Sequence, residues 1–285
     1  MKISVIVPIY NRLEHLRALF LCLLKQKKQP DELIITDDGS SQKVLDFIGD
    51  LIPKAQFKVK HIYQEDKGFR KTRALNNGVR NSIGDLLIFC DQDLIFGEEY
   101  IETIAKNIKN DIFLMGRAHH ITEAEKSIIL SDINKIATYN EIVQKIPSKY
   151  IETIKKILKE DRKRRLLKTF KLAKRGIRLV GMSYALMKDS YIKVNGYDEN
   201  YIGWGQEDDD FGNRLTVAGI NGKELVTKNI QLHLWHYSDP TKVHSSNEEY
   251  YYKRKEEIFS KKDFYCKNGY EDSKNRDDVT IKELN

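Results

Sequence analysis

The 285-residue chain contains only three cysteines, Cys22, Cys90 and Cys266. They lie far apart, are odd in number and show no metal-ligand spacing. A disulfide framework or cysteine-zinc site is therefore not expected, and a reduced, cytoplasmic protein is. Long apolar runs are also missing; none approaches the ~20 residues that a bilayer-crossing helix needs. The apolar stretch at residues 3–7 stops at Pro8, too short for a signal-peptide core, and has no small-residue cleavage site. Glycine is absent from residues 5–12, where a phosphate-cradling loop after a first strand would need it. Net positive charge is confined to one segment. Lys and Arg total 49 against 42 Asp and Glu, a net +7, yet residues 149–178 alone hold 13 basic and 3 acidic side chains. The remaining 255 residues are net −3. A nucleic-acid binder with a broad cationic face is excluded, and a local patch is implied.

Hydrophobic residues at 40% and aromatics at 10% suffice for a core, and 32% charge gives a soluble surface. The first hundred residues alternate strand and helix patterns. Strands are expected at 3–7, 32–36, 57–63 and 85–90, and helices at about 13–26 (capped by Asn11), 44–51 and 72–81. Such alternation implies right-handed crossovers and a mostly parallel sheet with ligands at the strands' carboxyl ends. Those ends carry Pro8-Ile9-Tyr10-Asn11, Asp37-Asp38-Gly39-Ser40 and Asp91-Gln92-Asp93. Residues 127–178 read as helical, with Ile151, Ile154 and Leu158, then Leu166, Phe170 and Ala173, at helical spacing. A strand at 180–187, a loop at 203–210, a helix from 211 to 218 and a strand at 230–236 come next. The tail from 247 reads as a helix and a loose end. The expected division is 1–126, 127–178, 179–246 and 247–285.

Four clusters could carry chemistry. In Asp91-Gln92-Asp93, alternate residues of an extended chain point the same way, so two carboxylates could hold a hard cation that bridges phosphates; taken alone, the motif is more often a solvated turn after a strand. Asp37-Asp38-Gly39-Ser40 is either a turn and a helix cap or an acceptor for a base or ribose. Gly203-Trp204-Gly205-Gln206-Glu207-Asp208-Asp209-Asp210 is the most unusual stretch. Acids suit a helix's first turn, but that does not call for Trp204 between glycines. Crowded carboxylates should raise one pKa and yield a base, and Trp204 offers a platform for a sugar ring. His233 and His236 flank Trp235; strand alternation would put them on opposite faces, so that only one could complete a metal site with Asp93.

Taken together these motifs resemble inverting glycosyltransferases of family two with the GT-A fold. The resemblance runs through V-I-V-P-I-Y-N at 5–11, T-D-D-G-S at 36–40, G-F-R-K-T-R-A-L-N-N-G at 68–78 and D-Q-D at 91–93. The stretch G-Y-D-E-N-Y-I-G-W-G-Q-E-D-D-D at 196–210 is similar to the galactosyltransferase-type C-terminal region of β-1,4-galactosyltransferases and bacterial chondroitin-polymerase-like enzymes. The resemblance implies a Rossmann-like sheet flanked by helices, with a helical basic insertion and a C-terminal helical tail. It implies that Pro8, Tyr10 and Asn11 line a nucleotide pocket, that Asp38 reads uracil, and that Arg70 sits near the donor. Asp93 and His236 would hold a divalent cation, Mn2+ with Mg2+ as the alternative, and Asp91 with Gln92 would face the ribose or sugar. Asp208 matches the catalytic base. Glu207 and Asp209 would orient acceptor and donor sugars beside Trp204 and Gly205.

The expected activity is metal-dependent, inverting transfer from a UDP-sugar to a glycan or lipid-linked acceptor of a bacterial surface polysaccharide. Its rivals are a sugar nucleotidyltransferase, disfavoured by the glycine-free segment at 5–12, and a non-enzymatic module that binds anionic polymer or membrane. Residues 149–178 are either a solvated amphipathic helix, a contact to an anionic membrane at its inner face, or a site for an anionic acceptor or lipid pyrophosphate.

Overall fold

A computed structural model describes residues 1–135, 138–170, 177–225, 230–237, 245–271 and 278–285, without the side chains at 147–148, 165 and 168–169. The expected alternation forms: β1 (Ile3–Ile9), α1 (Leu13–Leu24), β2 (Glu32–Asp37), α2 (Val44–Ile48), β3 (Lys58–Gln64), α3 (Lys71–Arg80) and β4 (Leu86–Cys90). β1 pairs in parallel with β2 and β4, and β2 with β3. Alternate residues serve opposite faces of this sheet. Val5, Val7, Leu33, Ile35, Leu86 and Ile88 join the core around α1, while Ile6, Ile34, Leu87 and Phe89 join the core that includes Leu75 and Val79 of α3. Burial on both faces explains the continuous apolar runs. Each fully buried side chain contributes roughly 1.5–3 kcal/mol before conformational entropy is charged against it.

Beyond β4 come β5 (Leu94–Ile95), α4 (Tyr100–Asn107), β6 (Ile112–Met115), β7 (Ala118–His120), α5 (Glu123–Asn134), α6 (Tyr139–Gln144) and α7 (Pro147–Thr169). After these stand β8 (Ser183–Met187), α8 (Lys188–Lys193), α9 (Glu207–Val217), β9 (Asn221–Glu224), β10 (Gln231–His233), α10 (Glu248–Lys261) and β11 (Val279–Glu283). The large sheet has the order β11-β3-β2-β1-β4-β8-β6-β9 and is mostly parallel, with β8 and β11 antiparallel to their neighbours. A second sheet, β5-β10-β7, stands beside it.

Four local expectations need correction. Asn11 does not cap α1; Arg12 takes the cap position in left-handed conformation, and Asn11 itself has φ 51°. Residues 207–210 are not loop but the first turn of α9, because Gln206 at φ 67° turns the chain into the helix four residues early. The late strand ends at His233, not 236. The end of the tail at 278–285 is not loose: β11 pairs with residues 60–64 of β3, and the Asn285 side chain bonds to Val59 N–H and Phe57 O. Ala173 and Leu172 of the basic segment, and Ser238-Asp239-Pro240 after the late histidine, fall outside the described residues.

Candidate active site

The carboxyl ends of β1, β2 and β4 form one connected edge. Gln92 is buried and staples it: its Oε1 accepts from Tyr10 N–H at 3.2 Å and its Nε2 donates to Asn11 O at 2.9 Å. Asn11 Oδ1 accepts from Ser41 N–H and Oγ–H, both at 3.0 Å, while Asn11 N–H donates to Ser40 Oγ. Its left-handed backbone thus serves to tie the β1 loop to the β2 loop. Half-buried Pro8 is the next-to-last residue of β1, and exposed Tyr10 donates its hydroxyl to Asp66 Oδ2 at 3.0 Å. Asp38 is buried and accepts from Gln64 Nε2 and from Arg70 N–H, each at 2.6 Å. Burial lifts its carboxyl to about 6 against those two hydrogen bonds. Asp37 is spent otherwise, on Ser40 N–H and His61. The Arg70 guanidinium donates to Glu65 O, which folds it back beside Asp38.

Asp93 leads directly into β5, and β5 pairs antiparallel with β10, setting His233 opposite Leu94. Leu234 N–H donates to Asp93 O at 2.8 Å. Because the strand stops there, alternation no longer governs residue 236. Nε2 of His233 lies 3.6 Å from Asp93 Oδ1, and Nε2 of His236 lies 3.1 Å from Oδ2. The expectation of opposite faces is therefore wrong: one ligand atom from each of Asp93, His233 and His236 falls within 4.8 Å of the others. His236 Nδ1 is 2.8 Å from Tyr237 O, which can only accept, so that nitrogen carries a proton while Nε2 faces Asp93. Burial alone would raise Asp93, but the His236 hydrogen bond and the charges of His233 and His236 hold it down at about 2. Asp93 Oδ1 is buried without a hydrogen-bond partner. An ionised carboxylate with a bare oxygen beside two imidazole nitrogens is a donor set that suits a divalent transition cation.

On the other side, Asp208 Oδ1 accepts from Tyr197 Oη–H at 2.9 Å and Oδ2 accepts from Gly181 N–H at 3.0 Å. Only glycine permits this approach, since a Cβ at 181 would lie 2.2–2.4 Å from the Asp208 carboxylate. The next residue, Met182, takes the Asp91 N–H on its carbonyl at 2.9 Å. One strand entry therefore ties the D-Q-D turn to Asp208. Lys71, at the start of α3, joins the same group: its Nζ lies 2.8 Å from Asp91 Oδ1. Burial opposes its charge, but Asp91 and then Asp208 outweigh it and hold the ammonium protonated. Gly203 N–H donates to Phe69 O, pinning the half-exposed Trp204 next to the 69–71 segment.

Crowding among the acids falls on Glu207. It is buried, its Oε2 accepts from Gly205 N–H at 2.9 Å, and burial with the Asp208 charge pushes its carboxyl up to about 7. Gly205, at φ 116°, lets that N–H turn inward. Asp209 is paired instead with Arg178 Nε at 2.8 Å and with the Tyr251 hydroxyl from α10. Asp210 is structural: it is buried against Arg214, which also donates to Val194 O and Gly196 O. A carboxyl raised by folding stabilises fully below its unfolded value and loses that contribution as pH rises through the folded one. Between pH 4.5 and 7 the change at Glu207 is about 3 kcal/mol. Glu207→Gln should therefore raise the melting temperature at pH 8 and leave it nearly unchanged at pH 5. Equal shifts at both values would place the charge elsewhere.

Sequence reasoning missed Lys71, Gly181, Tyr197 and His15. His15 is fully buried in α1, its ring 6.4 Å from His236, with both nitrogens lacking hydrogen-bond partners. Burial, with Lys126 adding, pushes it down to about 4. A histidine amid Leu13, Leu16 and Leu19 was the available signal.

Residues 4–147 match the Glycosyl transferase family 2 model, and residues 163–236 match the one described as N-terminal domain of galactosyltransferase. The chain belongs to glycosyltransferase family 2. It is 26% identical over 294 residues to a chondroitin synthase of Escherichia coli, covering 90% of this chain and 40% of that protein. It is 25% identical to the validoxylamine A glucosyltransferase of Streptomyces hygroscopicus subsp. limoneus, covering 76% of this chain and 48% of that protein. The chain thus spans less than half the length of these relatives. Among solved structures it resembles S. aureus TarS in complex with UDP-GlcNAc, with TM-score 0.53, 14% identity and coverage of 89% and 64%. GalNAc-T7 with UDP, GalNAc and Mn2+ gives TM-score 0.57 at 14% identity, covering 92% and 49%. Those likenesses establish the GT-A fold.

Proposed function

We propose that the protein transfers a hexose or N-acetylhexosamine from a UDP-sugar to a glycan or lipid-linked acceptor of a bacterial surface polysaccharide, in one inverting displacement on the cytoplasmic side. The observation that carries this reading is the 181–182 strand entry, which joins Asp91 of the metal-side turn to Asp208. The TarS and GalNAc-T7 complexes support a UDP-linked donor, and the chondroitin synthase supports a polysaccharide product.

In this reading residues 1–126 hold the nucleotide and 179–246 the acceptor. Asp38, in its cage of Gln64 and Arg70, meets the uracil edge, and the Pro8-Tyr10-Asn11 loop and Arg70 shape the pocket. Asp93, His233 and His236 hold the cation, Mn2+ before Mg2+ because imidazole outnumbers carboxylate. When bound, it supplies neutralisation of the diphosphate's developing charge. Lys71 keeps Asp91 ionised and aimed. Trp204 stacks on a sugar ring. Asp208 takes the acceptor hydroxyl's proton as that oxygen attacks the anomeric carbon from the side opposite the leaving UDP, so an α-linked donor gives a β-glycoside. The Tyr197 and Gly181 hydrogen bonds hold its carboxylate in place, and Glu207 contacts the acceptor.

The test of the donor is thermal protection with Mn2+ present: UDP and UDP-sugars should raise the melting temperature and GDP should not. Protection by GDP alone would reject the uridine assignment. Gly181→Ala should displace the base while leaving Asp38 and Arg70 at the uracil side untouched. Turnover should fall about 100-fold, as for a reacting group misplaced by an ångström, with UDP protection unchanged. Normal turnover would show that Asp208 need not sit where Gly181 holds it.

A further inference from the structure

Helix α7 has two faces of unlike chemistry. Inward, Tyr150 and Ile157 are buried and Ile154 packs on the core. Arg164 also belongs to the inner side: its Nη1 lies 2.7 Å from the buried Glu224 carboxylate, which Arg117 shares. Outward, Ile151, Leu158, Leu166 and Phe170 are 51%, 43%, 55% and 69% exposed. Phe170 continues the helical path, its N–H donating to Leu166 O at 3.1 Å.

Successive helical residues turn by about 100°, so these four fall with Lys155, Lys159, Arg162 and Lys163 in an arc of about 140°. Across residues 149–170, six of the exposed side chains described are basic and two are acidic. Scattered single apolar residues are ordinary on a surface, but four large ones sharing a cationic face are not. A merely solvated helix has no use for Phe170 and Leu166, and a nucleic-acid backbone would use only the cations. An anionic bilayer uses both. Its acyl boundary accepts the apolar side chains, while lysine stems lie along it and their ammonium groups meet the headgroups.

We propose that this outward face of α7 docks on an anionic lipid surface. The inner contacts of Tyr150, Ile157 and Arg164 keep the helix on the body, and Arg178 fastens the far end of the basic segment to Asp209 beside the candidate base. The docking does not depend on the transfer chemistry.

The test is flotation of the whole protein with vesicles of phosphatidylcholine alone or with 30% phosphatidylglycerol. The mixed vesicles should carry the protein and the neutral ones should not, with binding falling in 0.5 M salt. Reversing Lys155, Lys159, Arg162 and Lys163 to Glu should cut partitioning at least about tenfold, since each cation near such a surface is worth roughly 1 kcal/mol. Leu166→Ser with Phe170→Ser should cut it further at high salt. Both variants should keep native unfolding temperature and UDP protection. Arg164 is left intact because its reversal would break the Glu224 pair. Equal binding to neutral vesicles, no binding to either, or unchanged partitioning of both variants would overturn the proposal. A concentration-dependent dimer abolished by the same variants would reassign the face to self-association.

Discussion

Asp208→Asn should lower glycosyl transfer about 10²- to 10⁴-fold, the range for loss of a positioned general base, while UDP binding stays unchanged. The substitution keeps the side chain's shape but not its chemistry. The carboxylate accepts at both oxygens, from Tyr197 on Oδ1 and from Gly181 N–H on Oδ2. An amide has one oxygen, so either orientation sets its NH2 against one of those donors. The loss of that bond should also cost roughly 1 kcal/mol of stability. Turnover measured under saturating donor, beside a thermal unfolding curve, separates the two effects. Near-normal transfer in a folded variant would show that Asp208 is not the base.

Asp93→Ala should weaken Mn2+ binding by at least about 10- to 100-fold, because losing a ligand should cost no less than losing an outer-shell partner does. Asp93 supplies the carboxylate of the cluster, and its oxygens face both His233 and His236. Removing it leaves two imidazoles, brings their protonation back into play and takes away the charge that favours a cation. Calorimetry should show Mn2+ uptake lost and UDP affinity no longer enhanced by Mn2+. Retention of Mn2+-enhanced UDP binding would remove Asp93 from the metal site.

The parts of the site that were legible in the sequence are those set by local pattern. Apolar runs mark β1, β2 and β4, and the residues just after each run necessarily lie at its carboxyl end; hence the placing of Asn11, Asp38 and Asp93 along one edge was legible. The failures depended on where an element stops. His233 and His236 converge because β10 ends at residue 233, an end set by pairing with β5 and β7, both distant in sequence. The acids 207–210 start α9 rather than precede it because Gln206 adopts a positive φ. Lys71 and Gly181 were illegible for a different reason. A lysine at a helix start and a glycine before a strand are ordinary until tertiary packing brings Asp91 and Asp208 to them.

The most direct test of the central claim is a proton NMR time course with the protein, Mn2+ and a panel of α-linked UDP-sugars. The account predicts that one donor is consumed, that UDP is released only with the cation present, and that the freed or transferred sugar first appears as the β anomer. A first product with retained α configuration, or turnover undiminished by chelator, would contradict it.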